Sequence, residues 1–596
     1  MENYKSRTEV PEKYKMNVSD YYKNNSEWNE EYQKTESQLF TLKNCEGKLK
    51  DPKTLEEYLE KSIDVTCSII DLYIYAMVSH DLDLKNDEYL EMYNKACSLF
   101  SKQSEALAFA VPELLALDEK QFKELFKQNP GLNKYKAYLE NIYEEKPHVL
   151  NKSEEEILAI LTETFDSYQS LSSNLINLEN DYGTIEIDEK TIQISSNNYR
   201  ILMKNKNESI RKTVREKYYG KLAEYQKTSA MLLNAFVKDN INLAKIRKYN
   251  SPWDEKLKTE HLPNKLFTSL KTAAKEKATA NENFYKLMQK ALKKDKLHVY
   301  DESLDWIEAK QNFTIEDAIQ TIKNALSVLG TTYIERLTEV FDNHDIDFCQ
   351  YKGKVSGGYC ISSKNKKSSK IVLSFTGDYE SVSTIAHEAG HSVHYKYIKA
   401  NNPKWYVESS TFCSEVASLT NEFLLNNYLA QNSTEKSVKL KAIENTIKTF
   451  QTNFFGAIYE GELEEEMYKY AMEGNTITAN YLSSTIKKLF KKYKEFIDSE
   501  DKYLELMWIR RSHYYMPFYL YSYAVCVSGA AVLADKISSK DKDILQKYEE
   551  FLKSGEDIKP IEVYKKLDID ITDKKVFESA IEYFQKQINL YEELIK

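Results

Sequence analysis

Ser383-Thr384-Ile385-Ala386-His387-Glu388-Ala389-Gly390-His391-Ser392-Val393-His394 is the stretch on which the reading of this chain turns. Two histidines four residues apart share one face of a helix, so the spacing predicts a helix that offers two imidazoles to one metal ion with Glu388 beside them. Ile385, Ala386, Ala389 and Gly390 are small or apolar and predict a buried helix. His394 competes as a ligand, but His387 and His391 already satisfy the pairing that positions Glu388, so His394 is expected to be structural or to support the ligands from behind them. The pentapeptide arises by accident in roughly one chain in a hundred of this size, so its surroundings have to carry the rest.

Upstream, Lys354–Ile361 and Ile371–Phe375 flank a polar loop, Ser362–Lys370, and six of the fifteen glycines lie from Gly330 to Gly390. These runs predict a small β-sheet beside the helix. Its edge suits an extended peptide held by main-chain hydrogen bonds, with Gly357, Gly358 and Tyr359 as substrate contacts. Downstream, Asn401-Asn402-Pro403 ends the helix and Ser409–Glu422 begins another, carrying Glu408, Glu415 and Glu422 at intervals of seven. A catalytic zinc keeps three protein ligands and an open position, so one of these glutamates is expected to complete the set; spacing alone does not choose, and the middle one is favoured because Glu408 falls at the helix start. Glu422 or Glu408 is then free to accept the second ring N–H of a ligating imidazole. Zinc brings the pKa of its water toward about 7, and Glu388 is placed to take that proton as general base and pass it to a departing amine. Further on, Arg510–Ala524 gathers His513 with Tyr519, Tyr521 and Tyr523 around Pro517, donors suited to the negative charge that develops on a peptide carbonyl oxygen.

The rest of the chain predicts a mainly α-helical protein. Gly (15) and Pro (10) are scarce in 596 residues, and apolar residues recur at helical spacing from Ser26 to about Asn180, as in Leu55, Tyr58, Leu59, Ile63 and Cys67 after the start signal Asp51-Pro52. Alternation on both sides of Asp188-Glu189-Lys190 predicts a hairpin, after which helical periodicity resumes. The length implies more than one lobe, read as residues 1–200 and a catalytic part, 201–596. A net charge of −10 with interleaved signs and a pI near 5.7 argue against nucleic acid as partner. The apolar stretches Ala106–Leu117 and Tyr523–Ala534 are short for a bilayer span, so no membrane partner is expected. Seven dispersed cysteines without Cys-x-x-Cys spacing, and a polar Met1–Tyr14, point to free thiols and a cytoplasmic setting.

With these residues in place, the chain resembles the oligoendopeptidase F group of thimet-oligopeptidase-like zinc metallopeptidases nearly end to end. Lys13–Tyr22 followed by Trp28 is similar to the group's opening, Lys354–Cys360 to its glycine-containing segment, His387–His391 to its His-Glu-x-Gly-His, Ser414–Ser418 to its third-ligand segment, and His513–Tyr523 to its downstream His and Tyr-rich helix. Glu380-Ser381 and Met16 depart from the pattern without touching a ligand. The resemblance implies His387, His391 and Glu415 as ligands of one zinc per chain, with Glu422 behind them. It also implies carbonyl and transition-state contacts from His513 through Tyr523, with Tyr519 and Tyr523 as catalytic candidates and Tyr521 as a substrate contact. The implied fold is a two-lobed helical ellipsoid enclosing a deep channel, and the implied substrates are short unstructured peptides cut internally.

Overall fold

The computed structural model describes residues 4–151, 153–155, 157–158, 167–177, 180–309, 312–366, 368–541 and 543–596. It is mostly helical with two small sheets; the helical periodicity read across 159–166 lies outside the described residues. Contacts divide the chain into two compact units interleaved in sequence: Met1–Ala159, Ala309–Asn432 and Leu533–Asp570 form one, and Ile160–Glu308, Ser433–Val532 and Ile571–Lys596 the other. The division expected at 200/201 falls inside the second unit, within the helix Ser196–Leu202.

In the first unit the helix Pro52–Leu82 begins as its sequence signals, with Pro at its start and Asp51 accepting from the Thr54 amide. It packs beside Asn25–Leu42, where fully buried Trp28 donates from Nε1 to the Leu72 carbonyl at 2.9 Å. A three-stranded sheet follows in the order β3 (Ile346–Cys349), β5 (Ser369–Phe375), β4 (Tyr359–Ser362), parallel between β3 and β5 and antiparallel between β4 and β5. The last two strands are the expected pair; β3 was not legible because Asp347 interrupts its apolar run. That aspartate is buried, with Lys354 Nζ at 2.7 Å and Arg7 at 3.2 Å. Removing one partner of such a pair costs about 3–5 kcal/mol, so it holds the strand in a buried place despite its charge.

The helix Tyr379–Asn401 packs on β4 and β5 and runs against the helix Thr411–Asn432. Asp378 caps the former by accepting from the Ser381 amide at 2.8 Å. The crossing of the two helices depends on Gly390: a Cβ there would lie 2.8 Å from Ser418 Cα and 3.0 Å from the Ala417 carbonyl oxygen. Asn421 fixes the same crossing, donating to the Ala386 carbonyl at 3.1 Å and accepting from the Tyr333 hydroxyl at 2.7 Å. Gly390→Ala is therefore expected to force the helices apart, costing roughly 1–3 kcal/mol and weakening metal binding; a thermal melt and a zinc titration check both effects.

In the second unit, β1 (Thr184–Ile187) and β2 (Lys190–Gln193) form the expected hairpin, with Asp188 (φ 49°) and Glu189 (φ 62°) both left-handed at its turn. Its core joins Tyr199, Tyr218, Leu222, Leu463, Trp508 and Phe518. Two helices, Pro52–Leu82 and Leu520–Ser538, are longer than the apolar stretches read in the sequence, long and apolar enough to cross a membrane; 67% and 83% of their apolar windows are buried within the protein. No disulfide joins the described cysteines.

Candidate metal centre

His387 and His391 project from one face of Tyr379–Asn401 with ring centroids 4.9 Å apart and planes at 78°. Because the next helix crosses at Gly390, its Glu415 reaches between them: Oε2 lies 3.4 Å from His387 Nε2 and 3.3 Å from His391 Nε2. Tetrahedral donors about 2.0–2.1 Å from a zinc ion stand about 3.3–3.4 Å from one another, so these separations and the donor set of two imidazoles and a carboxylate fit zinc. Ser418 Oγ donates to the same carboxylate oxygen at 2.8 Å. Two turns on, Glu422 accepts from His387 Nδ1 at 2.6 Å and from Ser383 Oγ at 3.2 Å. With Nδ1 donating to Glu422, the Nε2 lone pair would be the one left for a metal ion once one displaces the Nε2 proton. The third glutamate, Glu408, lies before the helix and pairs with Lys364 at 2.8 Å.

The electrostatics follow from this packing. Burial alone would raise the Glu415 carboxyl, but hydrogen bonds from His387 and His391 hold it far below the usual carboxylate range. Burial would lower His387, but Glu415 and Glu422 hold it well above its ordinary value. Two carboxylates thus crowd two imidazoles, an arrangement that a divalent cation stabilises by displacing protons. Glu388 is buried beside them, and desolvation lifts its carboxyl above the ordinary value against the pull of both imidazoles, the direction that suits a proton acceptor. His394 is buried, is lowered to about 3 by desolvation and then by His391, and stacks on Phe551; it packs as expected. Ser418 and Asn421 were missed because nothing marks a serine or an asparagine until the crossing is known.

β4 is an edge strand, and the segment leading into it lies along the metal helix: Gly357 takes φ +99°, and a Cβ on Gly358 would come within 2.9 Å of Thr384 Cγ2. The Tyr359 side chain turns away to donate to Asp81 at 2.7 Å, leaving its backbone on the strand. In the second unit His513, Tyr519 and Tyr523 gather: the His513 ring lies 5.9 Å from Tyr519 and 6.0 Å from Tyr523, and the two tyrosines are 5.4 Å apart. Desolvation and then Arg511 lower His513 to about 4, so its imidazole is neutral around pH 7. Tyr521 is a correction: it is fully buried and its hydroxyl donates to Glu465 at 2.8 Å, because within the helix Leu520–Ser538 a residue two places from Tyr523 points to the opposite side. It packs instead of facing substrate. A second histidine–carboxylate group, His298, Asp498 and Asp501, is occupied locally: Asp501 takes His298 Nδ1 at 2.7 Å and the Val299 amide at 2.8 Å, and Asp498 takes Lys296 at 2.7 Å.

The family model described as Peptidase family M3 matches residues 201–583, and that described as Oligopeptidase F matches 113–179. Oligopeptidase PepF of Bacillus subtilis (strain 168) is 30% identical over 99% of this chain and 88% of its own length. An oligoendopeptidase F homolog of Lactococcus lactis subsp. lactis (strain IL1403) is 27% identical over 99% of both chains. The crystal structure of oligoendopeptidase-F from Enterococcus faecium superposes with a TM-score of 0.76 at 26% identity, covering 96% of this chain and 99% of the other. On the match over residues 201–583 and the relation over nearly its whole length, this chain belongs to peptidase family M3, among the oligoendopeptidase F proteins.

Proposed function

We propose that the protein is a zinc-dependent endopeptidase that cuts internal bonds of short, unstructured oligopeptides, with one zinc per chain. The observation that supports this most is the group His387, His391 and Glu415 at donor separations suited to zinc, with buried Glu388 on the same helix. When bound there, zinc supplies Lewis acidity and acidifies water. Glu388 takes the proton of the attacking water and delivers it to the leaving amine. Glu422 holds His387 in the tautomer that can ligate. The backbone of Gly357–Tyr359 lines up the peptide by main-chain hydrogen bonds, as an edge strand does. His513, Tyr519 and Tyr523 donate to the carbonyl oxygen as negative charge grows there. Seven cysteines without a disulfide among the described residues favour a reducing, cytoplasmic setting.

An internally quenched peptide blocked at both ends, with products identified by mass, tests the endopeptidase reading: internal cleavage supports it, and an uncut blocked peptide beside a trimmed unblocked one assigns an exopeptidase. His513→Ala and Tyr523→Phe are each expected to lower kcat by roughly a hundredfold with unchanged zinc content. Wild-type kcat in both would remove the carbonyl contact from this segment.

A further inference from the structure

Three carboxylates of one helix, Ala457–Met472, grip the segment that carries His513 and the tyrosines. Glu460 pairs with Arg511 at 2.6 Å, Glu464 accepts from the Phe518 amide at 2.8 Å, and Glu465 accepts from the Tyr521 hydroxyl at 2.8 Å. The middle contact is unlike the others. Phe518 has φ +54°, a left-handed backbone that an aromatic residue keeps only when its surroundings impose it. Its ring is wedged against Trp253 and Tyr468, each with centroids 4.8 Å away. It lies between the 3-10 turn Ser512–Tyr515, which carries His513, and the helix Leu520–Ser538, which carries Tyr523. The backbone angle at Phe518 therefore sets how His513 faces Tyr519 and Tyr523.

We propose that Glu464 is a positioning residue: by holding the Phe518 amide it fixes the left-handed turn that groups His513, Tyr519 and Tyr523 for contact with substrate. This rests on the reading that those three residues touch the substrate carbonyl. Glu464 is fully buried, and its Oε2 has no hydrogen-bond partner among the described residues, so its one bond at Oε1 is all that anchors a costly polar group. A carboxyl kept there without a cation in contact does something an apolar side chain cannot. Burial pushes its carboxyl up to about 8, with Glu465 and Glu460 adding to the rise and the Phe518 amide and Lys256 opposing it. At pH 7 the group is thus mostly the neutral acid, whose carbonyl oxygen accepts from Phe518 as a glutamine carbonyl would.

Two substitutions in the zinc-loaded enzyme separate the possibilities. E464M keeps the side chain's bulk and removes the acceptor; E464Q keeps the acceptor. E464M is expected to lower kcat about tenfold with KM within about twofold and zinc content unchanged, while E464Q stays near wild type. Amide hydrogen exchange at Phe518 gives a readout independent of chemistry: exchange should quicken in E464M and not in E464Q. Wild-type kcat and unchanged Phe518 exchange in E464M would overturn the assignment, as would an E464Q enzyme as impaired as E464M. Failure of the underlying reading shows elsewhere, as wild-type kcat in H513A and Y523F.

Discussion

Glu388→Gln is expected to lower kcat by about a hundred- to ten-thousand-fold while leaving zinc bound, the range that removal of a general base commands. The amide keeps the size and buried position of the carboxylate and loses its ability to take a proton. Glu388 is not part of the donor group, which is made by His387, His391 and Glu415, so the metal should stay. A fall in kcat with KM nearly unchanged assigns the loss to the chemical step. A Gln variant that cuts at the wild-type rate would remove the base from Glu388.

Glu415→Ala is expected to weaken zinc binding by more than Glu422→Ala does. Without Glu415 only two imidazoles face the site, whereas without Glu422 all three donors persist and only the orientation of His387 is loosened. For such a supporting contact a loss of about 10–100-fold in affinity is the usual scale. Glu422→Ala should therefore bind zinc within that range and recover activity when zinc is raised, while Glu415→Ala should not. Competition against a chelator of known affinity measures both; the reverse order would exchange the roles of the two glutamates.

The metal helix was legible because its chemistry is local: two histidines at i and i+4, flanked by small residues, need no distant information. The third ligand was not. Glu408, Glu415 and Glu422 share one spacing, and what separates them is the helix crossing at Gly390 and Ser418, where the Cβ of any other residue would stand 2.8 Å from backbone. The hairpin at Asp188-Glu189 and strands β4 and β5 were readable from alternation and turn residues. β3 was hidden because its buried Asp347 is balanced by Lys354 across the following turn and by Arg7 from the start of the chain. Tyr521 was grouped with its neighbours because the tyrosines alternate around Pro517; in the helix that starts at Leu520 it points away from Tyr523 to Glu465, while Tyr519 and Tyr523 lie 5.4 Å apart. The left-handed turn at Phe518 left no mark in the sequence, since no glycine stands there.

The proposed function stands or falls with a single catalytic zinc held by His387, His391 and Glu415. Its most direct test is to strip the metal, titrate zinc back, and follow cleavage of the doubly blocked peptide at each addition. The stripped protein should not cleave, and activity should recover with a break at one zinc per chain. Full activity in the stripped protein, or saturation with zinc that restores no internal cleavage, would contradict it.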